Sequence, residues 1–266
     1  MHTWVHGYDG SSNLLIMINF CHMIRGLEVF RGFLSVVDRH TVYCAAHALS
    51  LAAGSAVPYA GPSRTSTSHN VNSRETFKSL ALEVEGGRIA NCEHFRSYGE
   101  GHTLTYFRGE LPILGMPNLL DRLAALSSVQ QELLRSRRRA GRPSATDAPV
   151  RWKLTLNRYV GDGGTRPGFP WHRDLNSNGA ASLILNLGAD GILQFGPEPD
   201  GTIDNGLRYT SDHTVAPGAT VPVLERARLT DGDLLVLTQE ARWDYLHRVI
   251  PSTSGEERIT LVYGAW

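Results

Sequence analysis

From residue 150 to the C-terminus, apolar and polar positions alternate with a period of two in short runs separated by turn residues. Trp152, Leu154 and Leu156 alternate with Lys153, Thr155 and Asn157. Ala181-Ser182-Leu183-Ile184-Leu185-Asn186 and Ile192-Leu193-Gln194-Phe195 follow. Then come Val221 to Leu229, the turn Thr230-Asp231-Gly232-Asp233, Leu234 to Leu237, Tyr245 to Ile250, and Ile259 to Tyr263. A period of two is that of a strand, whose successive side chains point to opposite faces. Many short strands with regularly placed turns predict a double-sheet jelly roll, or double-stranded β-helix, over about 150–266.

The first half is patterned differently. Leu27-Glu28-Val29-Phe30 reads as a short strand. Ser35 followed by Asp38 resembles a capping box, and Gly54 supplies a stop, so a helix is expected from Val36 to Ala52 with Val37, Cys44, Ala48 and Leu51 on its buried side. Residues 55–76, rich in Ser, Thr, Pro, Asn and Gly, read as a loop. Leu80, Leu82 and Val84 alternate with Ala81, Glu83 and Glu85, and the turn at Gly86-Gly87 leads into Ile89-Ala90-Asn91-Cys92 as a hairpin. A second helix is expected after Pro117, carrying Leu119, Leu120, Leu123, Leu126, Val129 and Leu133. Helices buttressing one sheet give an α+β fold, read as one domain over 27–266 preceded by an extension of residues 1–26.

Composition narrows the partners. A chain of 266 residues with 41% hydrophobic and 20% charged residues can bury a real core. Its formal net charge is zero, which is not the footprint of a strongly basic nucleic-acid-binding domain. The exception is Arg135-Ser136-Arg137-Arg138-Arg139-Ala140-Gly141-Arg142-Pro143. That run reads either as a phosphate-contacting or nuclear-import patch or as a solvated loop, the loop carrying more weight. Cys21, Cys44 and Cys92 have neither disulfide-framework nor zinc spacing, so reduced thiols are expected. Leu14-Leu15-Ile16-Met17-Ile18 is too short to span a bilayer and has no basic stretch before it. The expectation is an intracellular protein, cytoplasmic first and nuclear second, with no membrane association and no obligate protein partner.

Chemistry concentrates in Trp171-His172-Arg173-Asp174. In a strand, residues i and i+2 share a face, so His172 and Asp174 can address one point, and His247 can join them from another strand. Two imidazoles and a carboxylate form the facial set of a non-haem Fe(II) site, which keeps positions open for oxygen and a co-substrate. The set does not fix the metal, because catalytic zinc sites also use two histidines and a carboxylate. Arg258 lies where a dicarboxylate would need an anchor.

Several blocks, in order, resemble the AlkB-like family of Fe(II)/2-oxoglutarate dioxygenases. They are Leu156-Asn157-Arg158-Tyr159, the Gly-rich loop to His172-Arg173-Asp174, Leu183-Ile184-Leu185-Asn186-Leu187-Gly188, and Ile192-Leu193-Gln194-Phe195-Gly196. Leu229-Thr230-Asp231-Gly232-Asp233-Leu234-Leu235-Val236-Leu237, the His247-to-Pro251 segment and an N-terminal Gly32-Phe33-Leu34-Ser35 complete the series. The resemblance covers about 150–266 and is loose before that. It implies that His172, Asp174 and His247 bind Fe(II), and that Arg258 grips the distal carboxylate of 2-oxoglutarate through its planar fork. Asn157 and Tyr159 match positions that hydrogen-bond the same co-substrate; a turn residue and a core aromatic are the alternatives of lesser weight. The implied reaction consumes O2 and 2-oxoglutarate, releases succinate and carbon dioxide, and hydroxylates a C–H bond; on an N-methyl group this ends in demethylation.

Two departures bear on function. The family often closes with R-x-N-x-T-x-R, whereas this chain has Arg258, then Thr260 in place of Asn, then Gly264 in place of the second Arg. Thr260 is therefore a candidate co-substrate contact, and the alternative is a catalytically silent jelly-roll module that binds metal without using 2-oxoglutarate efficiently. Repair members often carry an acid two residues after the metal Asp, where this chain has Asn176. Asn176, Arg173 and Trp171 are the candidate substrate contacts. Trp171 and Trp243 read as stacking platforms or, more simply, as packing residues. The substrate stands between an N-alkylated nucleobase and a small molecule or protein side chain.

Overall fold

Alternation along the chain becomes two antiparallel sheets because nearly every strand has apolar residues to bury on at least one face. The computed structural model describes residues 23–55, 80–84, 87–96, 101–107, 110–140, 149–161, 168–174, 178–198, 220–251 and 256–266. The first half contains β1 (Leu27–Phe30), α1 (Val36–Ser55), β2 (Leu80–Val84), β3 (Gly87–Arg96), β4 (His102–Phe107), α2 (Leu119–Ala124) and α3 (Ser127–Arg139). The second half contains β5 (Trp152–Tyr159), β6 (Phe169–His172), β7 (Ala181–Gly188), β8 (Gly191–Pro197), β9 (Glu225–Leu229), β10 (Leu234–Leu237), α4 (Gln239–Trp243), β11 (Tyr245–Pro251) and β12 (Arg258–Ala265).

The larger sheet runs β1-β10-β7-β12-β5-β4-β3-β2 and the smaller β6-β11-β8-β9. From β5 onward the chain passes repeatedly between them: β6, β8, β9 and β11 lie in the small sheet, and β7, β10 and β12 in the large one. The fold is mixed α+β with mostly antiparallel sheets and few helices. No described helix is long and apolar enough to cross a membrane.

Two cores explain the layering. Leu154 and Leu156 of β5, Leu183, Leu185 and Leu187 of β7, and Ile259, Leu261 and Tyr263 of β12 share one cluster with Val42, Ala46, Leu49 and Ala53 of α1 and Val129 and Leu133 of α3. A second cluster joins Ile184 of β7, Leu235 and Leu237 of β10 and Val29 of β1 to Leu193 and Phe195 of β8 and Leu229 of β9. Helices therefore cover one face of the large sheet and the small sheet covers the other. The polar positions of the alternation do not face water: Thr155, Asn157, Ser182, Asn186, Arg258 and Thr260 are all buried. A polar stripe on a face that is covered needs partners there, and this stripe builds the site.

Several expectations are corrected. Helix α1 begins as foreseen, with Ser35 Oγ accepting the Asp38 N–H at 3.1 Å. It runs through Gly54 to Ser55 and buries Val42, Ala46, Leu49, Ser50 and Ala53 instead of the foreseen face. Val37 is 75% exposed, Leu51 46% exposed, and Cys44 and Ala48 are exposed as well. This helix is apolar around most of its circumference, so two faces fit a 3.6-residue period. The buried one presents Ala46 and Ala53, which let the helix lie close to the sheet. The foreseen second helix is two, because Leu126 takes an extended backbone (φ −65°, ψ 127°) between α2 and α3. The Leu and Val spacing continues across that break and so does not reveal it. Arg135 to Arg139 belong to the last turns of α3 and not to a loop, and α4 was not foreseen at all. Strand β9 starts at Glu225 and not Val221, and β12 extends over Arg258–Ala265.

Helix α1 is fastened to the start of β12 by Glu257. That carboxylate receives Tyr43 Oη at 3.0 Å and pairs with His47 Nδ1 at 2.5 Å. Arg158 Nε reaches it from β5 at 2.8 Å. Burial alone would raise the Glu257 pKa, but Arg158 and His47 outweigh it and hold the carboxyl below its usual value. Among the described cysteines, Cys44 and Cys92 are free thiols, and burial pushes Cys92 up to about 11.

Candidate metal centre and anion cleft

Between the two sheets, on the side that the second core leaves unfilled, lies a cleft of about 630 Å³, part of it open to solvent. His172, Asp174 and His247 meet on its wall, with one ligand-type atom from each lying within 4.8 Å of the others. His172 ends β6 and pairs directly with His247 of β11, their ring centroids 4.2 Å apart. Asp174 stands beyond the end of β6 and not within a strand as foreseen, with Oδ1 3.9 Å from His172 Nε2. The i, i+2 spacing still brings the carboxylate to the same point as the imidazole.

His172 and Asp174 are each held from behind. His172 Nδ1 lies 2.8 Å from the Pro170 carbonyl, an acceptor only, so Nδ1 carries the proton and Nε2 keeps its lone pair. Ser182 Oγ donates to Asp174 Oδ2 at 2.7 Å, which leaves Oδ1 for the cleft. Arg242, on α4, donates to the Asp174 carbonyl and the Gly179 carbonyl at 3.0 Å each. His247 Nδ1 is buried without a hydrogen-bond partner.

Electrostatics set matching protonation states. Burial would raise the Asp174 pKa, but the neighbouring His247, Arg242 and His172 and the Ser182 hydrogen bond drive it well below the usual carboxylate range. Burial lowers the pKa of both histidines, and for His247 the adjacent His172 adds to the effect. At neutral pH the trio is one carboxylate and two neutral imidazoles, the forms that bind a cation. The donors and the buried His247 nitrogen fit a divalent metal of the imidazole- and carboxylate-binding kind.

Arg258 supplies a second kind of site in the same cleft. It is 2% exposed, and its Nε donates to Asn186 Oδ1 at 2.6 Å. Asn186 cannot turn away, because its Nδ2 is committed to the carbonyls of Ala189 and Thr230 at 3.1 Å each. Both terminal nitrogens of Arg258 are buried with no hydrogen-bond partner. Room for the guanidinium comes from Gly191, where a Cβ would lie 2.2 Å from Arg258 Cζ. Tyr159 lies under the cation, 5.2 Å from Cζ to the ring centre. A planar fork with two unpaired donors in a dry place fits a carboxylate.

No family profile matches this chain, and no curated protein sequence does. Among solved structures, Peruvianin-I, a cysteine peptidase from Thevetia peruviana latex, is 11% identical with a TM-score of 0.25, covering 43% of this chain and 50% of its own. OsALKBH1 is 12% identical with a TM-score of 0.43, covering 91% of this chain and 99% of its own. The chain thus spans half of the peptidase and nearly all of OsALKBH1. At these scores neither likeness bears on the chemistry, which rests on the residues.

The remaining expected residues divide. Asn157, Tyr159 and Thr260 line the cleft with Arg258, so Asn157 is a strand residue and not a turn residue. Arg173 also lines it, but its Nη2 is engaged by Glu198 at 3.0 Å and the Asp244 carbonyl at 3.4 Å. Trp171 does not line the cleft; it packs against Val221 and Leu246 with Arg248 stacked 4.8 Å over its ring. Asn176 lies outside the described residues. The arginines of α3 sit on the helical layer, with the large sheet between them and the cleft. Sequence reasoning missed Ser182, Asn186 and Arg242. Their signal was present for the first two, as polar residues at the even positions of an otherwise apolar strand. For Arg242, no periodic pattern marks a five-residue helix.

Proposed function

We propose that this chain is an Fe(II)- and 2-oxoglutarate-dependent dioxygenase on an AlkB-like double-stranded β-helix, oxidising a C–H bond of its substrate while 2-oxoglutarate becomes succinate and carbon dioxide. One observation carries the reading: the buried Arg258 guanidinium, with both terminal nitrogens unpaired, opens into the same cleft as His172, Asp174 and His247. A ligand with a carboxylate at one end and metal-binding oxygens at the other answers both needs, and a 2-oxo diacid is such a ligand.

His172, Asp174 and His247 would hold the iron, and bound iron supplies the oxygen activation that no side chain can. Arg258 takes the distal carboxylate, with Asn157, Tyr159 and Thr260 beside it as hydrogen-bonding groups. Pro170, Ser182 and Arg242 keep the ligand atoms aimed. Leu104, Ile184, Leu193, Val249 and Val262 give the cleft apolar walls that exclude water and strengthen each polar contact. The passage of successive strands between the two sheets supports the double-stranded β-helix reading. Gly264 does not weaken it: a Cβ there would lie 1.9 Å from the Asn178 carbonyl oxygen, so the backbone fills the space that a second arginine would need.

Titration of Mn(II)-loaded protein with 2-oxoglutarate in a calorimeter should show binding that a His172→Ala variant lacks. Labelled 2-oxoglutarate with Fe(II) and ascorbate should yield succinate above that variant. N-alkylated oligonucleotides, methylated peptides and small molecules form separate arms of the assay. Metal binding without any 2-oxoglutarate binding would replace this reading with the silent metal-binding module.

A further inference from the structure

His102 is used by nothing described so far, yet it is 1% exposed on the cleft-facing side of the large sheet. It sits on β4 opposite Tyr159 of β5 and lies flat on that ring, with centroids 4.4 Å apart and planes 3° from parallel. Phe169 closes the other side edge-on at 5.5 Å. Its Nε2 is 3.3 Å from Asn157 Oδ1, one strand position along. An amide oxygen only accepts, so Nε2 carries the proton in this contact.

That proton decides what Asn157 offers the cleft. With Oδ1 engaged behind, the amide turns its two Nδ2 donors forward. Asn157 is paired across the sheet with Thr260, and Tyr159 with Arg258, so the amide stands beside the anion anchor. Flipped, it would aim a carbonyl oxygen at the cleft, where that oxygen would repel a carboxylate and accept from Arg258 in its place. A site for an anion needs donors on every side, and an Asn with both orientations available gives no such assurance. The stack on Tyr159 and the edge-on contact with Phe169 hold the His102 ring with Nε2 toward the amide.

We propose that His102 is a positioning residue for co-substrate binding: it locks the Asn157 amide in the donor-forward orientation and braces Tyr159, so that the cleft presents only donors to the carboxylate-bearing ligand. This rests on the 2-oxoglutarate reading above.

The test is a double-mutant cycle on 2-oxoglutarate affinity, measured by calorimetry with Mn(II)-loaded protein. His102→Phe keeps the stacked ring and removes the donor, and Asn157→Ala removes the amide. The expected result is a roughly tenfold loss for H102F in the wild-type background and almost none in the N157A background, because the one residue acts through the other. An H102F effect that persists undiminished in N157A, or no effect at all while wild type binds, overturns the proposal and leaves the 2-oxoglutarate reading standing. Absence of binding by the wild type overturns both. Should Phe not be tolerated, His102→Gln, whose amide nitrogen reaches about as far as Nε2, keeps a donor without the ring and should stay within about threefold of wild type; a tenfold loss there would put the effect in the stack and overturn the hydrogen-bond argument.

Discussion

Removing Arg258 should cost the ligand-free protein far less than its burial suggests. In Arg258→Met, two buried terminal nitrogens without partners disappear, and leaving each such polar group unsatisfied costs about 1–3 kcal/mol. Against that gain stands the Nε bond to Asn186 at 2.6 Å, worth about 1.5–3 kcal/mol. The contact of the cation with Tyr159 at 5.2 Å adds about 1–2 kcal/mol to the loss. These contributions cancel to within about 2 kcal/mol, whereas breaking a fully paired buried charge costs about 3–5 kcal/mol. Urea unfolding at pH 7 measures the difference directly. The second arm adds ligand to Mn(II)-loaded protein: 2-oxoglutarate at one hundred times its Kd should add about 2.7 kcal/mol to the wild type and nothing to R258M. A ligand-free R258M that loses more than about 3 kcal/mol would refute the reasoning, because the guanidinium would then be satisfied from within and not held ready for an anion.

Arg242→Met is the contrasting case, since both of its carbonyl bonds are made at 3.0 Å and its cation stacks 4.3 Å from the Trp243 ring. It should lose about 3–5 kcal/mol by urea unfolding, with Arg242→Lys near half of that, and a loss below about 1 kcal/mol would contradict the assignment. Gly191→Ala puts a Cβ where Arg258 Cζ lies, so 2-oxoglutarate affinity should fall at least roughly tenfold and stability by about 1–3 kcal/mol; unchanged affinity would show that the guanidinium does not bind the ligand. Acid should destabilise the metal-free protein, because His172 and His247 have lowered folded pKa values and the unfolded chain takes up their protons first. Stability is then complete above about pH 6.5 and declines as the pH falls, by about 1.4 kcal/mol per unit for each histidine still neutral in the fold. Asp174, also lowered, adds to the loss below about pH 4. Urea midpoints that stay flat from pH 7 to 5 would count against the buried neutral pair.

The strands were legible because an alternating pattern survives whichever way a sheet is covered. What alternation could not say is that the polar half of β5, β7 and β12 also faces inward. Thr155, Asn157 and Ser182 have the same spacing whether they meet water or a second sheet. The cluster of His172, Asp174 and His247 was legible from its residue types and order, although Asp174 comes from an irregular segment. Helix α1 was placed correctly and rotated wrongly, because the choice between Val37 and Val42 as buried positions belongs to the sheet beneath and not to the helix. Arg242 and His102 were invisible for a related reason. Each matters through a contact made across the fold, to the Asp174 carbonyl in one case and to Asn157 in the other.

Two glycines show how the cleft acquires its length. At Gly191 the missing side chain makes room, since Arg258 occupies the volume that a Cβ would take. At Gly264 it does the opposite: the chain from Asn178 moves in against the backbone and closes the space. One end of the β12 stripe thus holds a large cation whose two terminal nitrogens have no hydrogen-bond partner, and the other is sealed by main chain. Arg258, Thr260 and Val262 lie between these limits on one face of one strand, at about 6.6–6.8 Å per two residues. At the sealed end the ammonium of Lys153, opposite Gly264 in register, already donates to Asn178 Oδ1 at 2.8 Å, whereas both terminal nitrogens of Arg258 are without partners. On the function proposed above, this asymmetry would set the ligand's direction, with the carboxylate at Arg258 and the remaining oxygens toward the wall where His172, Asp174 and His247 stand. A second arginine at 264 with free donors would have offered a carboxylate either end of the stripe, so the glycine there is consistent with a site that admits one orientation.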